Sequence, residues 1–126
     1  TQYLLAVDRN NPRVASLYDA CHPAVLSALS HLARESRRLR VPASVCGELA
    51  GDPAGALLLM GMGFETLSMN APSLSRVRAA IRRVSLKDAC TLLDETLQLP
   101  TTAAVRAHLR QRLGGWKLAH LLPPED

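Results

Sequence analysis

Hydrophobic positions in the first third of the chain recur three and four residues apart. Val25, Leu26, Leu29, Leu32 and Ala33 fall on one face of a predicted helix. His22-Pro23 opens that helix, because proline suits the first helical position, where its missing N–H is not needed. Arg34, Arg37 and Arg38 come late in it, where cations favour the negative end of the helix dipole. Residues 41–46 then form an apolar run that reads as a buried strand, broken at Gly47. Asp52 is a good N-cap and Pro53 a good first residue for a second helix, running to about Met60 and ending at Gly61 and Gly63. Residues 64–69 predict the next strand, closed by Asn70-Ala71-Pro72. Ser73 is expected to cap a helix with Leu74, Val77, Ile81 and Val84 on one face and Arg76, Arg82 and Arg83 on others. Ser85 caps the next, with Leu86, Ala89, Leu92, Leu93 and Leu97 as its stripe. Pro100 breaks it, and Thr101 or Thr102 caps a last helix that ends at Gly114-Gly115, a C-terminal signal. Residues 116–126 are expected to be a tail of modest order.

The first twenty residues are less periodic. Tyr3-Leu4-Leu5-Ala6-Val7 is either the end of a buried strand or a helical turn, and spacing leaves both open. Asp8-Arg9-Asn10-Asn11-Pro12 reads as a loop, and a short helix is expected over residues 12–18. The order is therefore helix, strand, helix, strand, then helices. Alternation of this kind predicts parallel strands. Two or three strands close neither a barrel nor a doubly wound sheet, so the chain reads as the closing part of a larger α/β fold. Its start at Thr1, without methionine, fits a piece of something longer.

Composition narrows the function classes. The 126 residues are enough for one domain with a real core, and 48% apolar content excludes disorder by composition. Only 3% are aromatic, so the core is built from Leu, Val and Ala. The net charge of +4 gathers in Arg34, Arg37, Arg38 and Arg40 and in Arg76, Arg78, Arg82 and Arg83. These read as solvated helix faces, not as a nucleic-acid surface, since few aromatics are available for base stacking. Three cysteines, Cys21, Cys46 and Cys90, form no C-x-x-C pair, which argues against a disulfide framework or structural zinc and for a reduced, cytoplasmic setting. The longest apolar run, residues 56–63, is far too short to span a bilayer.

The candidate chemistry lies after the first firm strand. Cys46 ends that strand, Gly47 lets backbone approach a ligand, and Glu48, Gly51 and Asp52 come next. In parallel α/β folds the C-terminal strand edge is where active sites are built. A thiol there exchanges protons if its neighbours set its pKa. Spacing alone leaves a second reading open, a cysteine packed as a small apolar residue.

Cys46-Gly47-Glu48-Leu49-Ala50-Gly51-Asp52 resembles the active-site cysteine loop of the phosphoenolpyruvate-utilising enzymes, in the form typical of enzyme I of the bacterial phosphotransferase system. The related pyruvate phosphate dikinases have histidine and glycine where Leu49 and Ala50 stand. Three further stretches resemble enzyme I in family order: residues 1–10, His22-Pro23-Ala24-Val25-Leu26, and Leu58-Leu59-Met60-Gly61-Met62-Gly63-Phe64 with Leu67-Ser68-Met69. Leu4-Leu5, Asn10-Asn11 and the tail are more similar to the nitrogen-related paralogue.

The resemblance implies the C-terminal portion of a (β/α)8 barrel over residues 1–115, with parallel strands and outer helices, followed by a tail over 116–126. It implies phosphoenolpyruvate at the barrel mouth, transfer of its phosphoryl group to a histidine on another domain and then to a phosphocarrier protein, and release of pyruvate. Cys46 matches the family's proton donor to enolpyruvate, and Arg9 matches an arginine that holds the substrate phosphate, a task suited to a guanidinium fork. Glu48 is a possible supporting residue. Ser68, Met69 and Asn70 end the last strand at the same mouth, with strand-end packing as their plain alternative. His22 is read as helix-start chemistry and not as the phosphorylated histidine, which the family carries in an upstream domain. Magnesium is implied for the full-length enzyme, on acidic residues of earlier strands, one just before Thr1. The resemblance assigns no metal ligand to this chain. A homodimer in the cytoplasm is expected, with no nucleic acid or membrane as partner, and the chain alone is expected to be inactive. The rival readings are a dimerisation or regulatory module of the same enzyme, and the tail of a pyruvate phosphate dikinase or phosphoenolpyruvate synthase.

Overall fold

The computed structural model describes residues 1–122. Its elements in chain order are α1 (Gln2–Leu5), α2 (Pro23–Leu39), β1 (Ser44–Cys46), α3 (Glu48–Gly51), α4 (Pro53–Met62), β2 (Thr66–Ser68), α5 (Ala71–Ile81), α6 (Leu86–Leu97) and α7 (Thr102–Gly115). Short 3-10 turns lie at Ala15–Leu17 and Ala119–Leu121. The described residues thus form a mixed α/β structure, mostly helical, around a two-stranded parallel sheet. Ser44 pairs with Thr66, Val45 with Leu67 and Cys46 with Ser68.

Helix α4 is the hub. Leu57, Leu58, Leu59 and Met62 are buried all round it, as a helix at the centre of a core must be. Helix α6 crosses it at close range. A Cβ added at Gly61 would collide with the Ala89 carbonyl, so that contact requires glycine. Leu26 and Ala33 of α2, Leu92 and Leu93 of α6, and Val105, Leu109 and Leu113 of α7 complete the core.

Most helix starts form as their local chemistry dictates. His22 Nδ1 accepts from the Ala24 N–H at 3.2 Å, and Pro23 is the first helical residue. Asp52 accepts from the Gly55 N–H at 3.0 Å, Ser85 Oγ from Asp88 at 3.1 Å and Thr101 Oγ1 from Ala104 at 3.2 Å. The 3–7 stretch is a helical turn that closes with Ala6 in the left-handed region. Of the helix expected over 12–18, a single 3-10 turn forms.

Several expectations are corrected. Both strands are three residues long instead of six, because their leading residues serve the preceding helices. The Val41 N–H bonds the Ser36 carbonyl at 3.0 Å and the Phe64 N–H bonds the Leu59 carbonyl at 3.1 Å. These are Schellman closures around left-handed Arg40 and Gly63. The helix expected to stop near Met60 continues through Gly61 to Met62. Helix α5 begins two residues before Ser73. Asn70 is its cap, with Oδ1 accepting from the Ser73 N–H at 3.0 Å. Its buried face is therefore Ser73, Val77 and Ala80, and Leu74 is 46% exposed. Leu32 and Leu86, each assigned to a core stripe, are likewise exposed. Helix α7 runs through both terminal glycines. The left-handed residue is Lys117, and the closing bond runs from the Leu118 N–H to the Leu113 carbonyl at 2.8 Å. Burial of Leu118 and Leu121 draws the chain back onto the core. The last four residues of the expected tail lie outside the described residues.

Candidate active site

Parallel pairing places the C-terminal ends of β1 and β2 side by side, Cys46 next to Ser68. Each strand leads through a turn into a helix. After β1 comes Gly47, with φ of 112°, then α3 and Asp52, which is at once the end of α3 and the cap of α4. After β2 come Met69 and Asn70, the cap of α5. An open pocket of about 530 Å³ lies between the two turns. Gly47, Glu48, Gly51 and Asp52 line it from one side, and Ser68, Met69, Asn70, Ser73 and Arg76 from the other.

Cys46 is exposed, unlike Cys21, which is buried. The packed-cysteine reading therefore belongs to Cys21, whose thiol burial pushes up to about 12, with Arg106 lowering it and Asp19 and Asp52 raising it. Cys46 itself is not among the lining residues. It stands at the strand end immediately before Gly47, which is. Glu48, Ser68, Met69 and Asn70 meet at this pocket. Arg9 does not line it. It is exposed in the turn after α1, where Asp8 Oδ1 accepts from the Asn10 N–H at 2.9 Å.

Asp52 is the most perturbed carboxyl here. Burial raises its pKa, while the Gly55 and Ala54 N–H groups and the cations Arg106 and Arg76 lower it. Arg76 is the pocket's cation, and sequence reasoning left it on a solvated helix face. Ser73 and Arg76, three residues apart on α5, share a face, and the packing of α5 beside the Cys46 turn brings that face to the pocket. The pair Asp19 and Arg106 was also missed. Arg106 donates from Nε to Asp19 Oδ2 at 2.6 Å and from Nη2 to Oδ1 at 2.8 Å, across 87 residues of sequence. No local pattern announces a bond of that span.

Among the described residues no three of His, Cys, Asp and Glu come together to hold a metal ion. Asp52, the best placed carboxylate, is engaged with the N-terminus of α4. Among the same residues no helix is long and apolar enough to cross a membrane.

Residues 1–86 match the family model described as PEP-utilising enzyme, PEP-binding domain. The chain is 44% identical over 120 residues to a Salmonella typhimurium protein named "Phosphoenolpyruvate-dependent phosphotransferase system", covering 91% of this chain and 16% of that protein. It is 44% identical over 105 residues to the phosphoenolpyruvate-protein phosphotransferase of Haemophilus influenzae, covering 83% of this chain and 18% of the relative. A multiphosphoryl transfer protein of Xanthomonas campestris is 42% identical over 114 residues, with 90% and 14% covered. The chain thus spans less than a fifth of the length of these curated relatives. With its cysteine turn, its two parallel strand ends and this extent of identity, the chain belongs to the PEP-utilising enzymes, within their PEP-binding domain.

Proposed function

We propose that this chain is the C-terminal part of the (β/α)8 barrel of a phosphoenolpyruvate-protein phosphotransferase, and that Cys46 is its proton donor. The observation that carries the reading is the exposed thiol at the C-terminal end of a parallel strand, level with Ser68 and beside the pocket between the two adjoining turns. The phosphoryl group of phosphoenolpyruvate passes from the enol oxygen to a ring nitrogen of a histidine on another domain, and later to a phosphocarrier protein. The enolpyruvate left behind takes a proton from Cys46 Sγ–H at its methylene carbon. Pyruvate leaves, and the thiolate regains its proton from water. Glu48 and Ser68 flank the reacting group. Arg9 holds the substrate phosphate from the preceding turn, and in this reading residues upstream of Thr1 form the rest of the mouth. Magnesium, where the whole enzyme uses it, is held by those upstream residues.

Cys46→Ala in the full-length polypeptide tests the role. Pyruvate release should fall roughly 10²–10⁴-fold, the usual worth of a general acid, with phosphoenolpyruvate binding retained. Unchanged turnover defeats the assignment. A second reading, association with another copy of the chain, is favoured by exposed Tyr3, Leu17, Leu39 and Val41, of which Tyr3 is 96% exposed.

A further inference from the structure

The turn carrying Glu48 and Asp52 is thin. Both residues line the mouth pocket on its front, and both also line a second cavity of about 180 Å³ on its back. Tyr18, Asp19, Cys21 and Arg106 are among the other residues of that rear wall. A smaller cleft between Asp52, Cys21 and Arg106 continues it towards α7. Positive charge at the back of the turn is supplied by the Arg106 guanidinium, with Arg110 further along the smaller cleft.

That guanidinium is held in place. Both of its bonds go to one carboxylate, in the bidentate geometry that fixes an arginine fork most firmly. Asp19 is itself anchored, since its Oδ1 also accepts from the Cys21 N–H at 2.8 Å. The pair therefore ties α7 to the segment just before α2. Arg106 lies outside the residues matched by the family model.

We propose that Arg106 is a positioning residue for the Cys46 turn: locked to Asp19, it backs Asp52 from behind and keeps residues 47–52 seated at the mouth of the pocket. This rests on the function proposed above. The charged and titratable groups around Asp52 are Arg106 and Asp19 behind, Arg110 in the smaller cleft towards α7, Arg76 in front, and Glu48 on its own turn, with the Cys21 thiol beside it. Arg76 and Arg106 are both exposed, and Arg106 is the cation whose position the Asp19 latch sets. Asp52 accepts from the Gly55 N–H and thereby fixes the junction between α3 and α4. Loosening that junction displaces Glu48 and Gly47, and with them the direction of the Cys46 thiol, without touching the substrate.

The test uses two readouts. In the full-length polypeptide, Arg106→Gln should lower kcat roughly 10- to 100-fold, the scale of a small misplacement of a reacting group, with KM for phosphoenolpyruvate little changed. Arg106→Lys should recover part of the loss. Asp19→Asn, which keeps the shape and removes the charge, should reproduce it, and covers the case in which Arg106→Gln fails to fold. In this chain, carboxyl NMR should show Asp52 titrating at higher pH in Arg106→Gln than in the wild type. Wild-type kcat in folded Arg106→Gln, or an Asp52 titration that does not move, overturns the proposal. If Cys46→Ala abolishes pyruvate release and the Arg106 variants do not reduce it, only the positioning role falls. If Cys46→Ala has no effect while Asp52 still responds to Arg106, the reading of Cys46 falls and the latch stands.

Discussion

At the scale of single residues, the site depends on a few positions whose chemistry admits little change. Gly47 turns the chain from β1 into α3 with φ of 112° and ψ of −164°, a region essentially reserved for glycine. A Cβ there would meet nothing within 4 Å, so the penalty for replacing it is backbone strain alone. Gly47→Ala should destabilise the chain by about 1–3 kcal/mol, read by urea unfolding. In the full-length polypeptide, pyruvate release should drop as well, since the relaxed turn would carry Glu48 away from Ser68. An unfolding midpoint equal to wild type would show that the turn tolerates L-residues. Much of the proposed site is written in the sequence: Cys46, Gly47, Glu48 and Ser68 all stand in or beside motifs that follow one another in family order. Arg76 is exposed, as its sequence setting suggests, but its place at the pocket is not legible, because it depends on how α5 packs beside the cysteine turn.

Among the elements, α4 and its cap hold the site to the core. The helix is apolar on every side, yet its first turn begins at a carboxylate, Asp52, half-withdrawn from water. Burial raises that pKa more than Arg106, Arg76 and the two N–H groups lower it. Between the ordinary carboxyl value and the raised one, folded Asp52 keeps a proton that the unfolded chain has released. Its contribution to stability is therefore greatest in acid and is lost as pH rises through the raised value. Asparagine caps helices about as well as aspartate and carries no charge to bury. Asp52→Asn should therefore keep or raise Tm at pH 7, and its advantage should shrink as pH falls and the wild-type carboxyl is neutralised. A large Tm loss at pH 7 would show that attraction to Arg106 and Arg76 outweighs burial. The caps themselves are readable from sequence at His22, Asp52, Ser85 and Thr101, because each is a bond from a side chain to a backbone N–H two or three residues on. Strand lengths are not, because Val41 and Phe64 look like strand residues and are used to close helices.

For the molecule as a whole, the sheet is the incomplete feature. Two parallel strands lie side by side, and each has an outer edge that a closed barrel would pair. Exposed Leu17, Leu39 and Val41 add apolar surface elsewhere on the exterior. The 126-residue chain by itself should associate, most simply as a homodimer, and light scattering at high concentration should report the doubled mass. A clean monomer would count against it. The same preparation should not convert phosphoenolpyruvate to pyruvate, because in the proposed reading the phosphoryl-accepting histidine and the rest of the mouth belong to other parts of the enzyme.

Sequence by itself determined the family, the place of the cysteine turn, the parallel order of the strands and most helix starts. Each of these is written in bonds or patterns that span a few residues, or in motifs whose wording is specific. Tertiary structure alone decided which face of α5 is buried, that Cys21 and not Cys46 is the packed thiol, that Arg76 enters the pocket, and that Arg106 meets Asp19. Those outcomes depend on how helices distant in sequence settle against α4, where burial and long-range charge act together, and no local pattern records that.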